Sequence, residues 1–346
     1  MFLSALEKIE SGAHLSRSEA ETVMDDLLSG RCDDSQIVRL LTGLRAKGEV
    51  LDELIGFAAV MRRHAKPIFT DSAAPAGDSL VDTCGTGGDA KGTFNISTTA
   101  AFVAAGAGAR VAKHGNRSHS SRCGSADVLE ALGVRLDVPV EHAGKAIQEI
   151  GIGFLFAPAV HTAMKHAAAA RRQVGGRTIF NLLGPLTNPA GANAQVLGVF
   201  DQRVSEMMAR ALVALGCRRA FVVHGADGLD EISLSSETYV TELSDGAVRD
   251  YTVTPEDFGL NRAPLEALAG DDAPANAKII LRILDGEPGP PRDIVLANAA
   301  AALVAAGRAA NWGEGVALAA RSIDSGSARR KLNELTEFTN AQPLMS

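Results

Sequence analysis

The sequence predicts an α/β protein in which a small all-helical domain stands beside a larger α/β domain with a central, mostly parallel mixed sheet. Apolar residues recur at helical spacing through residues 1–70, where no strand signal occurs. After a Pro- and Ala-rich stretch at 66–78, short β-rich runs alternate with helical segments, which is typical of a parallel sheet with connecting helices. A chain of 346 residues is long enough for about two domains.

The N-terminal part carries the start signals and the periodicity of short helices. Ser16 and Glu19 have the spacing of a capping box, in which each side chain bonds the backbone N–H of the other residue. Asp33 can cap a helix over residues 36–47, whose large apolar side chains fall on one face. A further helix is expected over residues 51–64.

From residue 79 onward, predicted strands and helices alternate. Strands are expected over residues 79–83, 109–113, 153–156, 196–200 and 219–224. Helices are expected over residues 97–108, 126–132, 142–150 and 203–215.

Residues 161–189 fit this sheet badly. They begin with an Ala-rich helix over 161–174 and end in Gly-Pro-Leu-Thr-Asn-Pro, so we expect them to pack on the N-terminal helices. The predicted helical domain comprises residues 1–73 and 161–189. The predicted α/β domain comprises residues 74–160 and 190–346.

Composition and charge exclude several classes of protein. The net charge of −7 disfavours nucleic acid and membrane surfaces as partners. The four cysteines are scattered without a C-x-x-C pair, so the sequence predicts neither a zinc site nor a disulfide framework. This use of cysteine indicates a reducing compartment. The N-terminus lacks the pattern of a signal peptide, and no apolar stretch is long enough to span a membrane. We therefore expect a cytoplasmic protein.

Residues 82–89, the glycine segment, read Asp-Thr-Cys-Gly-Thr-Gly-Gly-Asp and connect a predicted strand to a helix. Gly85, Gly87 and Gly88 allow backbone N–H groups to approach an anion closely. The segment matches a dinucleotide fingerprint only formally, because cationic residues stand where the acidic ribose ligand belongs. Asp89 would repel a bare pyrophosphate, which favours a metal ion or a ribose hydroxyl nearby. A glycine-rich turn without a ligand remains the alternative.

Residues 93–99, the helix-start segment, are rich in hydroxyl and amide side chains and precede an apolar helix. These side chains can cap the helix, and the free N–H groups of a helix N-terminus can also bind phosphate. Either role fits the residues alone, and the preceding glycine segment favours an anion.

Residues 113–125, the cationic segment, contain five cationic or imidazole side chains within ten positions and no acidic residue. The segment follows a predicted strand, and ligands of open α/β sheets bind beyond the carboxyl ends of strands. A solvated charged face is the alternative, but the interspersed serines and glycines favour an anion site.

Asp227, Asp230 and Glu231 follow the predicted strand at 219–224. Neighbouring carboxylates at a strand end can hold Mg²⁺ together with water and substrate phosphates. Acidic residues at the start of a turn or helix are the alternative.

Arg171 and Arg172 lie on the predicted Ala-rich helix. A guanidinium suits a planar carboxylate ligand, and an ordinary surface arginine is the alternative. His161 and His166 are expected in the core or at the surface rather than as ligands. No signature of nucleophilic catalysis occurs in the sequence. The residues therefore predict a phosphate-handling α/β enzyme that uses Mg²⁺ to hold a pyrophosphate leaving group.

Five motifs in order resemble those of the anthranilate phosphoribosyltransferase family: GTGGD at 85–89, NIST at 95–98, KHGNRS at 113–118, GSADVLE at 124–130 and NLLGPLTNP at 181–189. The resemblance extends over nearly the whole chain. It implies transfer of phosphoribose from 5-phosphoribosyl 1-pyrophosphate to anthranilate in tryptophan biosynthesis. It also implies a nucleoside phosphorylase-like fold, two Mg²⁺ ions and a homodimer formed through the helical part.

The resemblance also implies the site residues. The phosphoribosyl donor would be bound by Gly85, Gly88, Asp89, Thr93, Asn95, Ser97, Thr98, Lys113, Asn116, Arg117, Ser118, Ser120, Ser121 and Ser125. Anthranilate would be bound by Gly85, His114, Asn116, Pro158, Met164 and Arg171. Magnesium would be held by Ser97, Asp230 and Glu231. Catalysis would be mainly electrostatic, with Lys113 and His114 as the candidate catalytic residues.

Two other functions stay open. A pyrimidine-nucleoside phosphorylase would share the architecture, but its lysine-histidine-serine phosphate signature is missing, because Lys113-His114 continues into Gly-Asn-Arg. A non-catalytic nucleic-acid-binding relative would need an extended basic surface, which the net charge of −7 disfavours.

Overall fold

A computed structural model describes residues 2–69, 79–118 and 122–341. It confirms the predicted fold class, a helical part beside an α/β part with a mostly parallel mixed sheet. Within residues 2–69 the chain forms four helices: α1 Phe2–Glu10, α2 Arg17–Leu28, α3 Asp34–Lys47 and α4 Leu51–His64.

Reciprocal capping boxes fix the starts of α2 and α3. The Ser16 hydroxyl accepts the N–H of Glu19 at 3.3 Å, and the Ser16 N–H donates to the Glu19 carboxylate at 2.7 Å. Asp33 and Gln36 make the equivalent pair at 2.8 and 3.0 Å. Both capping predictions are confirmed, and they show that local side-chain chemistry sets these helix boundaries.

The sheet is built from strands β1 Leu80–Gly85, β2 Arg110–Gly115, β3 Ile152–Phe156, β4 Ala194–Gly198, β5 Arg219–Gly225, β6 Thr238–Ser244 and β7 Ala247–Val253. Over the described residues these seven strands form one sheet in the order β3-β2-β1-β4-β5-β6-β7. Strands β1 to β5 run parallel, and β6 and β7 are added as an antiparallel hairpin.

Helices connect and cover the strands. Those between β1 and β4 are α5 Ile96–Gly106, α6 Ser125–Ala131, α7 Val140–Glu149, α8 Ala157–Val160, α9 Ala168–Val174 and α10 Ile179–Leu186. Those after β4 are α11 Ser205–Ala214, α12 Ala273–Leu284, α13 Pro290–Ala305, α14 Trp312–Asp324 and α15 Ser327–Asn340.

The two faces of the sheet belong to different hydrophobic clusters. Side chains alternate along a strand, so Val196 packs in one cluster and its neighbour Leu197 in the other. The first cluster contains α5 and α13, whose alanines let the helix backbones approach closely. The second contains α11 together with apolar residues of α1–α4, α9 and α10. The helical part therefore covers one face of the sheet.

The chain reverses its direction across the sheet at β1. Strands β2 and β3 lie on one side of β1, whereas β4 and β5 lie on the other. In open parallel sheets, such a reversal leaves a crevice at the carboxyl ends of the strands, where ligands bind. The glycine segment follows β1 and the cationic segment follows β2, so both begin at this edge.

Two predicted elements differ in detail from the structure, and one pair of strands was not predicted. Residues 161–174 are not one α-helix, because Thr162–Ala167 forms a 3-10 helix and the α-helix α9 begins only at Ala168. Strand β4 ends at Gly198 rather than at residue 200. The β6–β7 hairpin was missed. Its turn consists of Asp245 and Gly246, at φ +46° and +87°, and an Asp-Gly pair is a typical sequence signal of a two-residue hairpin turn.

The expected linker at 66–78 is described only to residue 69, where it forms neither helix nor strand; 70–78 lie outside the described residues. The predicted domain boundaries stay a prediction. Within the described part of the chain, every helix is too short or too polar to cross a membrane.

Candidate active site

Lys113, near the end of β2, is only 4 % exposed. Its ammonium donates to the backbone carbonyl of Thr83 on β1 and lies 3.4 Å from the hydroxyl of Ser97 in the first turn of α5. Burial lowers the pKa of Lys113, whereas the carboxylates of Asp82 and Glu231 act to raise it. The ends of β1 and β2 and the start of α5 therefore meet around one buried ammonium group.

Asp230 lies against the glycine segment. Its Oδ2 accepts the N–H of Gly87 at 3.1 Å, and a Cβ added to Gly85 would lie 2.8 Å from the same oxygen. Gly87 and Gly88 adopt φ values of +65° and +81°, in the left-handed region that favours glycine. The glycines thus serve both the turn and the close approach of a carboxylate.

Glu231 lies at the N-terminus of α5, where its Oε1 accepts the N–H of Ser97 at 3.1 Å. Burial raises the pKa of Glu231 to about 7, with Lys113 opposing the shift and Asp89 adding to it. Burial, and then the charges of Asp89 and Glu231, raise the pKa of Asp230 as well. Three carboxylates thus share this place with one lysine, so negative charge is in excess.

This donor set fits Mg²⁺. The groups that meet here present oxygen atoms, the ligands that this hard cation prefers, and a divalent ion would relieve the repulsion between the carboxylates. Among the residues that the structure describes, no three His, Cys, Asp or Glu side chains are arranged to hold a metal alone. Magnesium commonly takes only one or two carboxylates and completes its shell with water and substrate phosphates.

The two ends of the cationic segment are joined by hydrogen bonds. The N–H of Asn116 donates to the Ser125 hydroxyl at 3.2 Å, and that hydroxyl lies 3.3 Å from the Asn116 carbonyl. A Cβ added to Gly115 would lie 2.2 Å from the Ser125 oxygen, so a side chain at this position would displace the Ser125 hydroxyl from Asn116. Asn116 and Ser125, on either side of residues 119–121, are therefore held together at the end of β2.

In the cationic segment, the Arg117 guanidinium pairs with Asp127 at 3.2 Å and also with Glu130. Its charge is thus directed to an acidic pair on α6 rather than into the cleft. The N–H of Ser118 donates to Asp127 at 3.0 Å. The predicted donor ligands Ser120 and Ser121 lie outside the described residues.

Asn95 uses its side chain to fasten two segments together. Its Nδ2 donates to the Cys123 carbonyl at 3.2 Å, and its Oδ1 accepts from Asn276 at 3.0 Å. Asn95 occupies the N-cap position of α5, but its side chain makes no capping hydrogen bond. Thr93 makes an isolated β-bridge, and Thr98 is 1 % exposed within the helix.

Strand β2 presents His114 on the face opposite to Lys113. The His114 ring meets the His161 ring edge-on at 5.1 Å between centroids. Burial lowers the pKa of His114 to about 3 and that of His161 to about 4, so both rings are neutral at pH 7. The Nε2 atoms of both rings lack a hydrogen-bond partner among the described residues. His114 is therefore a weak base, and its Nε2 is buried without a hydrogen-bond partner among the described residues.

Arg171 on α9 lies over the ring of Phe180, with 4.9 Å between the guanidinium carbon and the ring centroid. Burial lowers the pKa of Arg171, and no carboxylate pairs with it among the described residues. Its neighbour Arg172 is exposed. A half-buried guanidinium on an aromatic face, without an acidic partner, suits an anionic ligand.

The remaining predicted acceptor residues lie before α9. Pro158 is exposed on α8. Met164 is half-buried in the 3-10 helix and lines a small pocket together with His161. The structure thus places Met164, His161 and His114 in one run of contacts along the helical side of β2.

Sequence reasoning missed two residues that separate β1 from β2. Asp82, fully buried on β1, accepts the His114 N–H at 3.1 Å and the Asn188 amide at 2.8 Å. That amide also donates to the Ala112 carbonyl at 2.8 Å. These side chains replace the backbone pairing of the two strands beyond Val81, so the strands diverge toward the site. An acidic residue inside an apolar strand was the available signal.

Sequence reasoning also missed Arg177. Its guanidinium stacks 3.8 Å from the centroid of Phe200 and donates to the carbonyl of Gly88. It therefore ties the glycine segment to the chain between α9 and α10. Spacing alone did not distinguish this arginine from the surface arginines nearby.

Fold and site together define the class: a glycosyltransferase made of a helical bundle and an α/β unit. The sequence matches the family described as "Glycosyl transferase family, a/b domain" over residues 77–329. It also matches "Glycosyl transferase family, helical bundle domain" over residues 3–65.

Full-length relatives narrow the class. The chain is 55 % identical, over 98 % of its length and 97 % of the relative, to an anthranilate phosphoribosyltransferase of Pelotomaculum thermopropionicum. It superposes on the anthranilate phosphoribosyltransferase of Thermus thermophilus with a TM-score of 0.90 and 47 % identity, covering 97 % of this chain and 99 % of that one.

A more distant structure is the Saccharomyces cerevisiae enzyme in complex with PRPP and Mg, with a TM-score of 0.88 and 29 % identity, covering 99 % of this chain and 98 % of that one. The chain belongs to the anthranilate phosphoribosyltransferase family.

Proposed function

We propose that this protein transfers the phosphoribosyl group of 5-phosphoribosyl 1-pyrophosphate to the amine of anthranilate, giving N-(5-phosphoribosyl)anthranilate and pyrophosphate, in tryptophan biosynthesis. One observation carries the proposal. At the carboxyl ends of the strands, the backbone N–H groups of Gly87 and Ser97 lie beside the Lys113 ammonium and two clustered carboxylates. This combination suits a diphosphate bound together with a divalent cation.

The donor is assigned to the glycine side of the cleft. The N–H groups of Gly87 and Ser97 now hold the carboxylates of Asp230 and Glu231, and the same groups can bond phosphate oxygens. Lys113 adds a positive charge to the donor site from a side chain that is buried. The hydrogen bond between Asn116 and Ser125 lies at the end of β2, on the other side of the proposed donor site.

Ser97, Asp230 and Glu231 would hold magnesium, and we propose two ions. Bound Mg²⁺ supplies positive charge to the leaving pyrophosphate. In this arrangement Lys113 keeps the Ser97 hydroxyl in place at 3.4 Å, so the lysine acts partly by orienting a magnesium ligand.

Anthranilate is assigned to the helical side of β2. Arg171 would pair with its carboxylate, because this guanidinium is half-buried and has no acidic partner within the described residues. The aromatic ring would lie along neutral and apolar groups. The residues assigned to it are Gly85, His114, Asn116, Pro158 and Met164.

The chemistry follows from this division. The C1–O bond breaks and its electron pair leaves with pyrophosphate, while the amine attacks C1 from the opposite face and inverts the anomer. The amine nitrogen then releases one proton, and its weak basicity means that no strong general base is required. With its pKa near 3, His114 is a poor candidate for such a base. Positioning and charge stabilisation supply most of the catalysis.

The test is the loss of anthranilate fluorescence in the presence of 5-phosphoribosyl 1-pyrophosphate and Mg²⁺. We expect turnover only when all three are present. Phosphorolysis of thymidine without consumption of anthranilate would contradict the proposal and indicate a nucleoside phosphorylase. The homodimer and the cytoplasmic location stay predictions, and light scattering after size-exclusion chromatography tests the first.

A further inference from the structure

Asn276 lies in the first turn of α12 and is 1 % exposed. It is not among the residues assigned above to either substrate or to magnesium. Both ends of its side-chain amide are paired: Oδ1 accepts the N–H of Asp271 at 2.8 Å, and Nδ2 donates to Oδ1 of Asn95 at 3.0 Å. A buried amide paired at both ends has one defined orientation.

The orientation of Asn276 sets that of Asn95. The Asn95 oxygen accepts from Asn276 and from the Cys123 thiol at 3.4 Å, so the Asn95 nitrogen is the atom that bonds the Cys123 carbonyl at 3.2 Å. A half-turn of the Asn95 amide would bring nitrogen against nitrogen and oxygen against oxygen. The hold of Asn95 on the cationic segment therefore depends on a donor at position 276.

The chain just before Asn276 also fastens the helix-start segment. The N–H of Phe94 donates to the Leu268 carbonyl at 3.1 Å, and the N–H of Gly270 donates at 2.8 Å to the carbonyl of Gly92, just before the segment. A Cβ at position 270 would lie 2.6 Å from the Phe94 nitrogen and 2.8 Å from the Asn276 oxygen, so the close approach requires glycine. Residues 268–276 thus contact the helix-start segment directly and reach the cationic segment through Asn95.

We propose that Asn276 is a positioning residue for the phosphoribosyl donor: through Asn95, it holds the helix-start and cationic segments at a fixed separation. The inference rests on the proposed function, which assigns the donor to these two segments. The family resemblance makes Asn95 a donor ligand. In this structure its side chain joins the two segments, and that junction is its contribution to donor binding.

Two substitutions separate this role from simple packing. Asn276→Ala removes the donor to Asn95 and leaves a cavity. Asn276→Asp keeps the volume but places an acceptor against the Asn95 oxygen, which turns the Asn95 amide away from the Cys123 carbonyl. We expect KM for the phosphoribosyl donor to rise about tenfold in Asn276→Ala and further in Asn276→Asp. A packing role predicts the reverse order.

KM for anthranilate should stay within about twofold of the wild-type value in both variants. The control is Asn340→Ala on α15, which loses hydrogen bonds to the Gly133 and Thr336 carbonyls, each 2.8 Å long. It should keep both KM values. Hydrogen exchange of the amides at 113–118 and 122–125 should quicken in Asn276→Ala and stay unchanged in Asn340→Ala.

Equal increases in the two KM values, or unchanged exchange at these amides, would overturn the role of Asn276. The exchange measurement also separates this inference from the proposed function. If the wild-type protein does not consume anthranilate but the exchange still quickens, Asn276 positions the two segments and the assigned reaction is wrong.

Discussion

Gly198 allows Asp230 to cross the end of β4, since a Cβ added to Gly198 would lie 1.6 Å from the Asp230 carbonyl oxygen. Gly198 is paired with Gly85 at the end of the β1–β4 ladder. Both glycines therefore leave room for the same aspartate, one for its backbone and one for its carboxylate. Asp230 and Glu231 can take their positions because Gly85 and Gly198, at the ends of β1 and β4, have no side chains.

Gly198→Ala should displace the loop that carries Asp230 and Glu231. The contact at 1.6 Å would join the new Cβ to the backbone oxygen of Asp230. The position of a Cβ is fixed by the backbone, so no side-chain rotation can relieve the contact. We expect kcat to fall about 100-fold, with a higher Mg²⁺ concentration at half-maximal rate. Steady-state kinetics over a magnesium series measures both. Gly313→Ala is the control, because its Cβ would lie 3.5 Å from the nearest atom. Wild-type magnesium dependence in Gly198→Ala would contradict the expected displacement.

Asp230→Asn together with Glu231→Gln should have opposite effects on activity and on the stability of the metal-free protein. Burial and mutual repulsion raise the pKa of both carboxyl groups, so neutral side chains remove a cost of folding. We expect an equal or higher Tm without Mg²⁺ and turnover lowered about 100-fold. Thermal unfolding and kinetics test the pair. Glu237→Gln, an exposed carboxylate on the same stretch, serves as the control. Unchanged magnesium dependence would exclude the assigned role.

Arg171→Ala should raise KM for anthranilate about 100-fold and leave KM for the phosphoribosyl donor near its wild-type value, because the guanidinium is assigned to the acceptor carboxylate alone. Arg172→Ala is a matched control on the same helix, since that side chain is exposed. Initial rates with each substrate varied in turn give the two constants. Equal increases in both would remove the assigned role.

The protein should lose stability in acid through His161. Burial lowers the pKa of His161 from its ordinary 6.5 to about 4, so below pH 6.5 the unfolded chain binds a proton that the folded protein refuses. The free energy of unfolding should fall between pH 6.5 and 4, by at most about 3 kcal/mol from this residue. Urea unfolding at a series of pH values measures the slope. His161→Gln should reduce the slope and leave the part that comes from His114, and a slope equal to that of the wild-type protein would contradict the assignment.

The sequence predicted those parts of the fold that depend on local chemistry. The boxes at Ser16–Glu19 and Asp33–Gln36 mark helix starts within a few residues, so their signal is complete in the sequence. The alternation after residue 79 gave the parallel strands for the same reason. The β6–β7 hairpin was missed because its strands carry many polar residues, including Glu242 and Arg249, which pair across the hairpin.

The site was predicted where its residues lie in contiguous motifs. The glycine, helix-start and cationic segments each carry their own signal, and the structure brings Ser97 and Lys113 together. Asp82, Asn188 and Asn276 were missed because each acts on a partner at least 32 positions away in the chain. Such pairs depend on the arrangement of strands and helices, which periodicity does not specify.

Alternation along β2 points two adjacent residues, assigned above to different substrates, to opposite faces of the sheet. Lys113 turns toward α5 and His114 toward His161, on opposite sides of one strand. If these assignments hold, substitutions on the His114 face can change the pocket assigned to the aromatic acceptor without disturbing the groups assigned to the phosphoribosyl donor. The same alternation makes β2 intolerant of insertions, because a shift of one position would move Lys113 and His114 each to the opposite face of the sheet and remove the contacts of both.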